Sequence, residues 1–289
     1  MEAINKESAL QRLKSYRKHP LSAILFLLVV ISAVITLTVL IALIAYILIK
    51  GIPNLSPELF EWEYTTENVS MMPAIINTLI ITALSLLFAL PVGICSAIYL
   101  VEYAKRGNKL VSIVRITTET LSGIPSIVYG LFGMLFFVTY LKWGYSLLAG
   151  ACTVAIMILP LIMRTTEEAL KAIPDSYREG SYGLGAGKLR TVFAVVLPSA
   201  VPGILAGVIL SIGRIVGETA ALIYTAGTVA ALPDGVLSSG RTLAVHMYVL
   251  ASEGLYMKQA YATAVILVVI VVAINALSSR LAKQLMKGK

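Results

Sequence analysis

Six stretches of the chain contain no Asp, Glu, Lys or Arg: residues 21–49, 68–101, 120–141, 143–163, 191–213 and 259–279. Each has the roughly 20 apolar residues that an α-helix needs to cross a hydrocarbon core of about 30 Å. No polar face interrupts them, as the amphipathic helices of a large soluble protein would require. The pattern predicts an all-α polytopic membrane protein with six transmembrane helices. The first two runs exceed the minimum, so their helices tilt, overrun the core or begin in a loop. The second is expected to start near Pro73, after a loop at 68–72. The first run is about twice as long as the 7–15-residue apolar region of a signal peptide. It reads as a retained anchor helix, although Lys14, Arg17 and Lys18 precede it.

The intervals between runs give the organisation. Residues 1–20 form an N-terminal segment, 21–49 the first transmembrane helix and 50–73 an outer loop. Residues 74–285 form a core of five transmembrane helices, with 164–198 as its longest inward loop. In that loop Pro174 and Asp175 suit a helix start, and the glycines at 183, 185 and 187 break the helix. A second short helix then runs from Lys188 into Val196 and ends at Leu197-Pro198. After the fifth run, the segment 219–232 reads as the outer end of the fifth helix or a re-entrant piece. The segment 242–252 reads as a surface or partly inserted helix. Trp62 and Tyr64, in the outer loop among Glu58, Glu61, Glu63 and Glu67, read as interfacial anchors; the acidic residues could also meet a soluble partner.

Charge then fixes the orientation. Charged residues make up 13% of the chain, against roughly 25% in an average soluble domain, yet the net charge is +8. With six spans both termini share a side. The segments 1–20, 102–119, 164–190 and 280–289 on that side carry 18 of the 23 Lys and Arg residues. The other side carries Lys50, Lys142, Arg241 and Lys258. The positive-inside rule places both termini in the cytoplasm, and a plasma (inner) membrane protein is expected. This sorting explains the net charge without nucleic acid, because the basic residues flank spans instead of forming one patch.

Arg214 escapes the sorting. At about 1.5 Å per residue from Pro198 it lies some ~24 Å along the fifth span, past the midplane. Glu218 follows at i+4, on the same helical face. Two readings stand: the pair neutralises itself, or Arg214 faces an aqueous path and meets an anion while Glu218 holds its side chain. A guanidinium fork matches two oxygens of an oxyanion. Arg115 and Glu119 repeat the spacing near the inner end of the third span, where snorkelling makes a plain ion pair the simpler reading. His246 reads as a hydrogen-bonded surface residue. Cys95 and Cys152 lie inside spans and suit packing, with no disulfide framework or metal cluster. There is no His-Glu-x-x-His and no Gly-x-Ser-x-Gly. The glycines near Lys188 fail the P-loop pattern, which needs four residues between its glycines and Ser or Thr after Lys. No catalytic, cofactor or metal site is expected, and any ATP must be hydrolysed by a partner.

The inward loop resembles the signature loop of ABC importer permeases. Glu179-Gly180-Ser181 stands for its Glu-Ala-Ala, Gly185 follows six residues after the Glu, and Val195 with Leu197-Pro198 closes it. The stretch Gly123-Ile124-Pro125-Ser126-Ile127-Val128-Tyr129-Gly130-Leu131-Phe132-Gly133 and the stretch Gly213-Arg214-Ile215-Val216-Gly217-Glu218-Thr219 are similar to the third- and fifth-span signatures of phosphate permeases. Related sulfate and molybdate permeases tend to carry Phe where Thr219 stands. The short first outer loop and the stretch from Arg241-Thr242-Leu243 to Gly254 resemble PstA subunits more than PstC subunits. The resemblance covers about residues 70–285. It implies a type I ABC importer permease fold and a non-catalytic subunit of an ATP-driven phosphate importer. It also implies a PstC-like second permease, two ATPase subunits docked on the inward loop and an extracytoplasmic phosphate-binding protein. The alternative is the same architecture importing another oxyanion, such as sulfate or phosphonate.

Overall fold

The computed structural model describes residues 20–105 and 107–287. Among the described residues every regular element is a helix. The first is α1 (Pro20–Gly51). The described residues up to Lys50 form one unit and those from Gly51 a second. Helix α1 carries no charge before Lys50 and its spanning stretch has no buried residue, as a lipid-facing anchor requires.

In the second unit, α2 (Met72–Ile98) runs into a π-turn at Tyr99–Tyr103. Helix α3 (Lys109–Ser122) is followed by α4 (Ser126–Gly133) and a π-helical stretch, Met134–Tyr140. Then come α5 (Leu147–Lys171), the short α6 (Asp175–Gly183) and α7 (Lys188–Thr191). A π-turn at Val192–Val196 joins α7 to α8 (Leu197–Val216). Helix α9 (Ala220–Ile223), α10 (Leu243–Glu253) and the long α11 (Met257–Lys287) complete the chain. Five helical stretches are long and apolar enough to span, and six if α3 and α4 count as one span bent by 103°.

Helix α5 is the centre: 67% of its apolar stretch is buried, against 28% or less in the other spans. Small residues let its neighbours approach, as expected where lipid removes the hydrophobic drive for helix association. A Cβ on Gly93 of α2 would meet Ile162 Cγ2 at 2.7 Å, and one on Gly203 of α8 would meet Ala169 Cβ at 2.6 Å. Ser85 Oγ donates to the Ala151 carbonyl at 3.1 Å, tying α2 to α5. Ile81, Leu147, Val154, Ile158 and Ile162 anchor the main core.

Three local expectations are corrected. The third span is not one straight helix starting at 120. Its polar first half is α3, and Gly123-Ile124-Pro125 turns the chain before α4, because Pro125 has no N–H to continue a helix. The helix from Lys188 does not end at Leu197-Pro198. The Leu197 N–H bonds to the Val192 carbonyl five residues back, and this wider turn accommodates Pro198 in the first turn of α8. Ser199 Oγ donates to the Val195 carbonyl at 2.8 Å, satisfying one group at the junction. Finally, the fifth helix stops at Val216, with Gly217 as its C-cap, so 219–232 is not its outer end.

Candidate functional site: the Arg214 junction and the α6 projection

Arg214 occupies the last turn of α8, where a cation is favoured by the helix C-terminus. Its side chain is exposed in the protomer. The predicted partner is elsewhere. With the helix ended at Val216, the i+4 ruler no longer applies. Glu218 is 8% exposed, and its Oε1 accepts from the Ala221 N–H at 3.1 Å, capping α9. The Arg214–Glu218 pair therefore does not form: among the described residues Arg214 has no salt bridge, and Glu218 does not hold it.

The two stretches similar to phosphate-permease signatures meet at this point. A Cβ on Gly130 would meet Ala221 Cα at 2.8 Å, so α4 and α9 touch backbone to backbone. Tyr129 is buried, lies within electrostatic reach of Arg214, and donates through its hydroxyl to the Leu121 carbonyl at 2.8 Å, stitching the α3–α4 bend. Arg214 thus stands beside a rigid corner built from the bend, α4 and α9.

At the other end of the core, α6 projects. Glu179 and Gly180 are exposed on it and Gly185 just beyond it, and Gly185 has φ +82°, the left-handed conformation a glycine corner supplies. Ser181 Oγ and Thr191 Oγ1 lie 2.9 Å apart, clasping α6 to α7. Leu197 and Pro198 do not lie on the projection. They are half-buried in the first turn of α8, where Leu197 packs against the buried cluster that includes Ile98, Leu170 and Val196.

An anchor absent from the sequence reading fixes α6. Arg178 Nη2 donates to Glu102 Oε1 at 2.7 Å, and its Nε donates to the same oxygen at 3.2 Å. The other donors reach the Ile173 carbonyl at 2.9 Å, the Leu170 carbonyl at 3.0 Å and Asp175 Oδ1 at 3.2 Å. The Glu102 hydrogen bonds raise the Arg178 pKa above its already high value, and Asp175 adds to this. The only sequence signal was that Glu102 closes the second charge-free run.

Arg115 and Glu119 do not pair with each other either. Arg115 Nη2 lies 2.6 Å from Glu167 Oε1 on α5, and Lys171 Nζ shares that oxygen at 2.6 Å. The Glu167 side chain is 13% exposed, so the opposite charge is worth more there than beside exposed Glu119. Both Arg115 and Glu119 line a cleft of about 1020 Å³ between the π-turn after α2, α3 and α6. Cys95 and Cys152 are free thiols.

His246 is not a surface residue. It is 1% exposed, and neither ring nitrogen has a hydrogen-bond partner among the described residues. Arg241, counted in the sequence as an ordinary loop cation, is 4% exposed.

Solved structures share this fold. An inward-facing MetNI methionine ABC transporter chain superposes with a TM-score of 0.58 at 22% identity, covering 74% of this chain and 94% of that one. A chain of a bacterial alginate ABC transporter gives 0.66 at 16% identity, covering 95% and 98%. The architecture is that of a type I ABC importer permease. The chain belongs to the family of binding-protein-dependent transport system inner membrane components, whose pattern it matches over residues 89–288. Its subunits are non-catalytic, multi-pass components of the inner membrane.

Relatives include the probable ABC transporter permease protein YqgI of Bacillus subtilis, 33% identical over 245 residues, 78% of this chain and 81% of that protein. The phosphate transport system permease protein PstA of Pasteurella multocida is 42% identical over 180 residues, covering 61% and 63%. PstA 2 of Mycobacterium tuberculosis is 37% identical over 193 residues, covering 65% and 64%. The chain thus spans somewhat under two thirds of these PstA proteins' length.

Proposed function

We propose that this chain is a PstA-like permease subunit of an ATP-driven phosphate importer. The observation that carries the reading is Arg214: an exposed guanidinium at the end of a core span with no acidic partner among the described residues. A fork of this kind, backed by the α4–α9 corner, gives a tetrahedral oxyanion a transient partner. Glu218 serves the path indirectly, by capping α9 and fixing that corner. The named phosphate transport relatives support phosphate as the anion.

The subunit pairs with a PstC-like permease, and the path lies between them. Both termini are cytoplasmic, so α6 points into the cytoplasm. There Glu179, Gly180, Ser181 and Gly185 meet one of two ATPase subunits, while Leu197 and Pro198 hold the loop's return strand of helix in the core wall. This chain binds no cofactor, and ATP is hydrolysed by those partners. An extracytoplasmic phosphate-binding protein supplies substrate, and rocking of the permeases exposes the path to each side in turn.

The test is labelled phosphate uptake by the assembled complex in vesicles. Arg214→Gln is expected to abolish uptake while the subunits still copurify; normal uptake would remove Arg214 from the path. Excess sulfate should leave uptake unchanged, and competition by sulfate instead would shift the substrate to another oxyanion. Glu179→Arg should release the ATPase, and its retention with full uptake would refute the docking assignment.

A further inference from the structure

The end of the core opposite α6 holds a buried cation with no carboxylate beside it among the described residues. Arg241 precedes α10, whose N-cap Thr242 accepts from the Val245 N–H at 3.5 Å through Oγ1. Its backbone is pinned: its N–H donates to the Val229 carbonyl at 2.9 Å, and its own carbonyl accepts from Asn77 Nδ2 at 3.2 Å. Its guanidinium carbon sits 4.7 Å from the centre of the Tyr64 ring. Yet Nε and Nη2 are buried and meet no acceptor, and no carboxylate pairs with Arg241 among the described residues.

One turn into α10, His246 packs edge-on to the same Tyr64 ring, with centroids 6.1 Å apart, and both its nitrogens lack partners. An arginine cannot shed its charge when buried. A stacked ring offsets only part of the cost of removing it from water. Chemically the cluster suits a compact negative ion. Its donors are Nε and Nη2 of Arg241 and one imidazole N–H.

We propose that Arg241 and His246 hold a small inorganic anion, chloride or phosphate, beneath Tyr64, at a site distinct from Arg214. Burial, then the Arg241 charge, lower the His246 pKa to about 3. The ring is therefore neutral at physiological pH and offers one donor and no second positive charge, so chloride or the phosphate monoanion neutralises the site. Tyr64 lies on the 50–73 loop, against both Arg241 and His246, so occupancy is expected to steady that loop.

The experiment measures thermal unfolding of the purified full chain at fixed ionic strength in sodium gluconate, chloride or phosphate. At a few times the half-saturating concentration, chloride or phosphate should raise the wild-type midpoint by about 2–4 °C over gluconate. Arg241→Met should abolish the rise, and in gluconate it should melt no lower than wild type, because it removes an uncompensated charge. Arg214→Gln should keep the rise.

An anion-independent wild-type midpoint would overturn the proposal and leave a site that water alone satisfies. A rise that survives Arg241→Met, or disappears in Arg214→Gln, would also overturn it. If Arg241→Met does not fold, equilibrium dialysis of the wild-type and Arg214→Gln chains with labelled chloride and phosphate decides instead. About one ion per chain in both supports the site, and none in either refutes it.

Discussion

Replacing Glu102 by Gln tests what holds the α6 projection. The substitution keeps the shape and leaves an oxygen to accept from Arg178, but it removes the charge. The side chains of Arg178 and Glu102 are 15% and 5% exposed, so solvent screens the pair little. Removing one partner of a fully buried pair costs about 3–5 kcal/mol. Arg178 would keep Asp175 and two carbonyls, so its charge would not be stranded. The relevant loss is then the difference between a charged hydrogen bond, about 1.5–3 kcal/mol, and a neutral one, about 0.5–1.5. That difference, about 1–2 kcal/mol, corresponds to ~5- to ~30-fold more opening of α6. Hydrogen exchange read by mass spectrometry on peptides from 175–183 should show this increase, while peptides from α5 stay unchanged. Exchange in α6 within twofold of wild type would refute the argument. Arg178→Lys should behave like Glu102→Gln, because an ammonium cannot reproduce the fork.

Three further outcomes follow from the packing. Gly207 faces Thr165 so closely that an added Cβ would collide with its Oγ1; Gly207→Ala should destabilise the α5–α8 contact by about 1–3 kcal/mol, read as a lower unfolding midpoint, and an unchanged midpoint would contradict the packing. Tyr129→Phe removes the hydroxyl bond to the Leu121 carbonyl and should cost about 0.5–1.5 kcal/mol, with faster exchange confined to the α3–α4 bend. His246 has a folded pKa of about 3 against 6.5 for an ordinary histidine, and Arg241 and Tyr64 are the ionisable groups seen to face it. Between those values the unfolded chain binds the proton and the folded chain does not. The histidine's contribution is therefore complete above pH 6.5 and is lost as pH falls towards 3, by at most about 1.4 kcal/mol per pH unit. In gluconate, His246→Gln should flatten the decline of the midpoint between pH 7 and 4.5; parallel wild-type and variant curves would show that the ring does not titrate there.

What the sequence reveals and what it hides divide along a physical line. Hydropathy is a property of a segment, so charge-free runs locate helices such as α5 and α11 directly. Pairing rules work only inside an intact element. The i+4 spacing of Arg214 and Glu218 assumes a helix that Gly217 in fact ends. The same spacing of Arg115 and Glu119 survives inside α3, yet Arg115 turns to Glu167 on another helix, because that carboxylate is shielded from water. Glu102 and Arg178 likewise find each other across the fold. Burial strengthens attraction between charges and raises the cost of leaving one alone, so the partner of a charge is decided by tertiary packing, which spacing does not encode. The same reasoning separates Arg214 from Arg241, neither of which pairs with a carboxylate among the described residues. Arg214 is exposed, so water can meet its charge; Arg241 is buried, so its charge must be met within the folded chain. An exposed, unpaired arginine suits transient contact along a path, whereas a buried one suits a resident ion, and the two are therefore expected to hold anions on very different timescales.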